Sequence, residues 1–173
     1  MTTNIKFAKV HPNAKIPTKR TEDAAMDVYA CFDEDYIALQ PHETKLIPTG
    51  IASSCNSDMA FILKERGSTG SKGIALRCGV VDSGYRGEWF VCLTNENTIP
   101  VIITKLSEED TIEHYTTRSH QHMKKCIIYP YSKAIAQVMV VPVPELSVEE
   151  ISYDDLKQIT SARGTGALGS SNK

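Results

Sequence analysis

A β-sandwich or β-barrel is the fold class predicted for this chain. Short runs rich in Val, Ile and Phe recur along it, Gly and Pro turn signals separate them, and helical periodicity is nearly absent. Residues 5–10, 44–47, 60–63, 88–94 and 135–141 read as strands. Residues 99–104 form another, with Pro100 confined to an edge because proline cannot donate to a ladder. Residues 148–159 hold the one helical tendency, a turn at Tyr153-Asp154-Asp155-Leu156. No repeat or linker divides the chain, so residues 1–160 are expected to form one β domain. After Ser161 the sequence turns small and Gly-rich, which predicts a flexible tail over 161–173.

Composition narrows the function classes. A length of 173 residues suits one domain with a real core, or one subunit of an oligomer. A net charge of −2 argues against direct nucleic-acid binding, which calls for a basic face. Cys31, Cys55, Cys78, Cys92 and Cys126 make an odd count with no CxxC pair, the pattern of reduced thiols in a cytoplasmic protein. No apolar run nears the ~20 residues that span a membrane. The basic stretch from Lys6 to Arg20 is not followed by a signal-like apolar segment.

The most informative segment is Gly79-Val80-Val81-Asp82-Ser83-Gly84-Tyr85-Arg86-Gly87-Glu88. It reads as a hairpin joining the valines to the strand beginning at Trp89. A hairpin tip exposes backbone N–H and C=O groups, which can read the edge of a flat base. Asp82 adds a carboxylate and Tyr85 a flat apolar face. Taken alone, the same residues also make an ordinary turn. The tail spells GxGxxG at Gly164-Thr165-Gly166-Ala167-Leu168-Gly169, but the dinucleotide fingerprint needs a strand before it and a helix after it. A flap whose Gly N–H groups and Arg163 close over phosphates is the better reading.

The Gly79–Glu88 segment resembles the third signature motif of the trimeric deoxyuridine triphosphatases (dUTPases), and four more segments follow in that family's order. Residues 24–30 (AAMDVYA) resemble the first motif, 65–74 (ERGSTGSKGI) the second, 134–137 (AIAQ) the fourth and 163–171 (RGTGALGSS) the fifth. Pro48-Thr49-Gly50-Ile51 resembles a further recurring segment. The resemblance implies a distorted jelly-roll-like β-barrel, a homotrimer, and a C-terminal lid. It implies Mg²⁺-dependent hydrolysis of dUTP to dUMP and pyrophosphate, which limits uracil in DNA and supplies dUMP for dTMP synthesis.

Residue by residue, the resemblance makes Asp82 the general base that orients water toward the α-phosphorus, a weak base acting chiefly through position. Tyr85 would pack on the deoxyribose and exclude a 2′-hydroxyl. The backbone from Gly79 through Val81 to Tyr85 would bind uracil, and cytosine would leave buried groups unpaired there. Arg66, Gly67, Ser68, Gln137 and Arg163 would meet the phosphates. Leu168, Gly169 and Ser170 would close the lid. Asp27 would reach Mg²⁺ through water.

The chain departs from the family pattern in several places. Gly67 replaces a phosphate-contacting Ser, leaving Ser68 or Ser71 to supply the hydroxyl; Ala25-Met26 replace Gly-Tyr, and Ala134 replaces an Arg. Leu168 replaces a Phe that stacks on uracil, with Trp89 or Phe90 as alternative aromatics and a core position the competing role for either.

About forty residues separate Asn95 from Gln137, roughly twice the usual span, and the excess near 107–129 reads as an inserted loop. His114, His120, His122 and Cys126 fit no closed zinc pattern, and a solvated loop or a protein-docking insert is the alternative. Two other functions compete with the pyrophosphatase. A dCTP deaminase would need a Glu acid/base, for which Glu88 is the candidate, and a dUTPase scaffold could act as a protein-binding regulator.

Overall fold

The computed structural model describes residues 4–119 and 125–165. They divide into a β unit within Met1–Val143 and a small unit within Pro144–Lys173. The first unit is built from four small sheets. Strand β1 (Lys6–Lys9) pairs with β5 (Ile51–Ser54), and β4 (Thr44–Pro48) and β7 (Ile74–Leu76) flank β9 (Phe90–Asn95). β3 (Tyr36–Leu39) and β11 (Ile127–Pro130) flank β10 (Val101–Thr104). The sheet that positions the candidate site runs β2 (Met26–Val28), β12 (Ala136–Pro142), β6 (Met59–Lys64), β8 (Val80–Val81).

Strand alternation sorts residues between core and surface. In β2, Met26 and Val28 are buried and Asp27 between them is not; in β12, Ala136 and Val138 are buried around Gln137. The antiparallel register sets Gln137 opposite Asp27. The two polar side chains therefore share one face, while their neighbours join Phe61, Leu63, Val91, Leu93 and Ile135 in the core. Trp89 is also core: its ring packs edge-on against Phe7 and Phe61, with centroids 5.5 and 5.1 Å away.

Two expectations are corrected here. The valines do not form a hairpin with the strand after them. β8 pairs with β6, Phe61 opposite Val81, whereas β9 lies in a different sheet between β4 and β7. The segment from Asp82 to Trp89 is thus a connection between sheets. Nor is the excess near 107–129 a loop throughout, because Glu108–Ser119 forms α2. β10 and β11 are parallel, Val101 opposite Ile127, and a parallel pair needs a crossover of about a dozen residues or more. Ser107 caps the helix, its Oγ accepting from Asp110 N–H at 3.1 Å. Thr111 and Tyr115 form its buried stripe. Their hydroxyls bond Thr104 at 2.8 Å and Gln40 at 2.7 Å, and Tyr115 stacks edge-on against Tyr36. This polar anchoring hides the helix from a search for apolar periodicity. His120 and His122 lie outside the described residues, and among those described no His/Cys/Asp/Glu group is arranged for a metal.

The small unit contains α3 (Tyr153–Gln158), capped by Ser152, where the weak helical tendency was read. Leu146, Val148, Ile151, Tyr153, Leu156 and Ile159 are all exposed. All five cysteines are free thiols, and burial pushes those of Cys31, Cys55, Cys78 and Cys126 up. Among the described residues no helix is long and apolar enough to cross a membrane.

Gly50 ties these sheets together. Its φ of +66° is left-handed, and a Cβ there would sit 2.9 Å from the Cβ atoms of both His11 and Ala14. Gly50→Ala is expected to cost about 1–3 kcal/mol, read as a lowered urea midpoint at unchanged slope.

Candidate functional site

Two clefts in the β unit collect the sequence-selected residues. The first, about 680 Å³, is lined by Asp27, Arg66 and Gln137 together with Lys19, Arg20 and Asp23. Asp27 and Gln137 reach it through their shared register. Arg66 follows the end of β6 and precedes α1 (Gly67–Gly70), a single short turn. The Arg66 guanidinium is held on several sides. Its Nε lies 2.9 Å from Asp27 Oδ1, its Nη2 donates to Asp27 Oδ2 at 3.4 Å, and its Nη1 donates to Ser68 Oγ at 3.0 Å and the Ala134 carbonyl at 3.2 Å. Gln137 Nε2 donates to the Glu65 carbonyl at 2.8 Å. The result is a half-buried cation with a fixed direction, a carboxylate beside it, and an amide tied to the backbone just before it.

Ala134 is buried, and its carbonyl also accepts from the buried Tyr129 hydroxyl at 2.6 Å. At the open position 67, a Cβ would meet nothing within 4 Å. Ser68 therefore stands with Arg66, and Gly67 leaves vacant space beside them.

The wall formed by residues 18–23 was not selected from the sequence. Lys19 Nζ donates to the Asp23 carbonyl at 2.7 Å and to the Arg20 and Thr21 carbonyls at 3.4 Å, folding this segment on itself. Arg20 grips Asp23 through two 2.9 Å contacts, and that hydrogen bonding holds the Asp23 carboxyl below the usual carboxylate range. The Lys19-Arg20 pair just ahead of the first motif was the available signal.

The second cleft, about 260 Å³, gathers Val81, Asp82, Tyr85, Glu88 and Phe90. Asp82 is exposed. Tyr85 is 46% exposed, and its hydroxyl donates to the Glu88 carbonyl at 3.0 Å. Its ring covers Gly87, where a Cβ would lie 2.5 Å from the Tyr85 oxygen. Gly79 spends its carbonyl on Leu63 N–H at 2.7 Å, anchoring the start of the segment. Of the two aromatics proposed as substitutes for a stacking Phe, Trp89 is 1% exposed and engaged in the core, whereas Phe90 is exposed at the cleft. The Glu88 carboxylate accepts from Gly50 N–H at 2.8 Å, so it braces the scaffold.

The two clefts share no lining residue. Arg163 belongs to the small unit, where its N–H donates to Ser161 Oγ at 3.2 Å. Leu168, Gly169 and Ser170 lie outside the described residues.

Comparison with known proteins identifies the family from the sequence and the fold from the structure. Residues 12–107 match the family model for dUTPase. The chain is 30% identical to the deoxyuridine 5′-triphosphate nucleotidohydrolase of Mycolicibacterium gilvum, over 99% of this chain and 96% of that protein. Among solved structures, the dUTPase of Staphylococcus bacteriophage 80alpha with dUpNHpp superposes with a TM-score of 0.74 at 20% identity, covering 99% of this chain and 100% of the other. A mutant dUTPase of phage phi11 of S. aureus, described with a structural Mg(II) ion, gives 0.65 at 18% identity, covering 86% and 96%.

The Asp27–Arg66 pair is open to a double-mutant cycle. Asp27→Ala should destabilise by about 1–2 kcal/mol by leaving Arg66 half-buried without its carboxylate, and Arg66→Met should recover part of that loss. A coupling near zero in denaturant titrations would contradict this account of the pair.

Proposed function

The chain belongs to the dUTPase family, and from that premise we propose that it hydrolyses dUTP to dUMP and pyrophosphate. The observation that carries the reading is the division of labour between the clefts. One holds a directed guanidinium and an amide suited to phosphate oxygens; the other pairs an exposed carboxylate with an exposed aromatic ring. Asp82 orients and deprotonates the water that attacks the α-phosphorus, and Tyr85 covers the sugar face and rejects a 2′-hydroxyl. The backbone from Gly79 to Tyr85 reads uracil, while Arg66, Ser68 and Gln137 bind phosphate oxygens. Arg163, Leu168, Gly169 and Ser170 act as the lid of a tail covering residues 161–173.

Mg²⁺ is the cofactor that goes with this reading, with Asp27 as its protein carboxylate. Asp27, beside Arg66 and Gln137, is the carboxylate that would reach a hydrated ion held chiefly by the triphosphate. Bound to a triphosphate, Mg²⁺ neutralises charge that develops on the phosphate oxygens.

A homotrimer supports catalysis on the same reading. Clefts without a common residue can be joined between copies, and the apolar side chains exposed over 146–159 suit burial in an assembly. The α2 crossover is the place for a protein partner, with Ile112 exposed on it. Free thiols and the soluble family agree with a cytoplasmic location.

Incubation with dUTP, dCTP, dTTP and UTP, with and without Mg²⁺, tests the reading. Only dUTP should yield dUMP and pyrophosphate, and Asp82→Asn should lower kcat by about 10²–10⁴-fold. Formation of dUTP from dCTP would move the chain to the deaminases, against the engagement of Glu88 with Gly50. Gly67→Ser, entering open space, should fold normally and lower KM for dUTP by about two- to tenfold, as measured by initial rates.

A further inference from the structure

The connection from Asp82 to Gly87 has few hydrogen bonds of its own. Tyr85 N–H donates to the Asp82 carbonyl at 3.1 Å, and the Tyr85 hydroxyl reaches the Glu88 carbonyl. The other strong constraint comes from Arg86, an exposed residue of the same segment to which no role was assigned above. Its Nη1 donates to the carbonyls of Ser83 at 2.5 Å and Tyr85 at 3.0 Å, and to that of Ser53 on β5 at 3.3 Å. One guanidinium thus draws two loop carbonyls to itself and ties them to the body of the β unit.

This has a directional consequence. All described peptide bonds are trans, so the N–H following each carbonyl points the opposite way. With the Ser83 and Tyr85 carbonyls turned toward the guanidinium, the N–H groups of Gly84 and Arg86 are turned away from it. The donor and acceptor pattern of the segment then depends on a charged side chain within it, and charge-assisted bonds are the strong ones. All three contacts converge on one guanidinium nitrogen whose direction the planar group fixes; a lysine ammonium could supply the charge, but from a different stem and direction.

We propose that Arg86 is a specificity-determining positioning residue: by clamping the Ser83, Tyr85 and Ser53 carbonyls it sets the backbone pattern by which the Asp82–Tyr85 segment distinguishes uracil from cytosine. The proposal deepens the dUTPase reading and rests on it. Arg86 acts through the backbone and contacts no reacting atom.

The test uses the full chain and Arg86→Met, Arg86→Lys and Arg86→Gln variants, with steady-state kinetics on dUTP and dCTP and thermal melting of each protein. In Arg86→Met, KM for dUTP should rise about tenfold or more, and the ratio of kcat/KM for dUTP over dCTP should fall by a similar factor. Arg86→Lys should recover only part of both. Should Arg86→Met fail to fold, Arg86→Gln carries the same comparison with a neutral donor. Complete recovery in Arg86→Lys would make Arg86 a simple charge and overturn the clamp. So would an unchanged dUTP-to-dCTP ratio, or equal losses on both substrates accompanied by a lowered melting temperature. Wild-type protein inert toward dUTP would overturn the family activity and the clamp together. A wild type that turns over dUTP beside an unaltered Arg86→Met would overturn the clamp alone.

Discussion

The double pairing of β12 is the constraint on which the rest of the structure depends. This strand lies between β2 and β6, so Gln137 has Asp27 on one side and Lys64 on the other. A one-residue slip of β2 would turn Asp27 into the core and Val28 out to solvent, and a slip of β12 would do the same to Gln137 and Val138. Burying a carboxylate and an amide there without partners would oppose the slip, as would the exposed valines. The core therefore protects the register, and the register delivers the polar pair to one cleft.

From that pair the first cleft follows by short covalent and hydrogen-bonded steps. The chain leaving β6 places Arg66 beside Asp27, and the Glu65 carbonyl just before it holds the Gln137 amide. The Ala134 carbonyl, at the entry to β12, completes the seat of the guanidinium. A flexible side chain with this many partners has already lost much of its rotamer freedom before a ligand arrives. That is the physical content of preorganisation.

The second cleft is built by different means. Strands present its beginning and end, but the segment between them belongs to no ladder, since β8 pairs backward to β6 and β9 pairs into another sheet. Its shape comes from side chains: Tyr85 over Gly87, Glu88 bracing Gly50, and Arg86 gathering carbonyls. Gly50 donates its N–H to that brace at a left-handed corner where β-carbons crowd from two directions. The recurring segment Pro48-Thr49-Gly50-Ile51 thus has a mechanical reason to carry a glycine.

The strands at 44–48, 59–64, 90–95 and 136–142 were legible in the sequence because alternation and β-branched runs are local properties. Asp82, Tyr85, Arg66, Asp27 and Gln137 were selected from motifs that are short and ordered along the chain, and the fold gathers them at two clefts. The α2 helix escaped because hydroxyls and a tyrosine, not an apolar stripe, hold it against β3 and β10. Only the fold could show that the valines turn back to β6, since strand pairing joins segments apart in sequence and no local property names the partner. The same holds for the reach of Arg86 to the Ser53 carbonyl. Local composition decided which residues could form strands and carry charge. Tertiary structure decided which carbonyls those charges would meet, because hydrogen-bond partners far apart in sequence are set by register and packing.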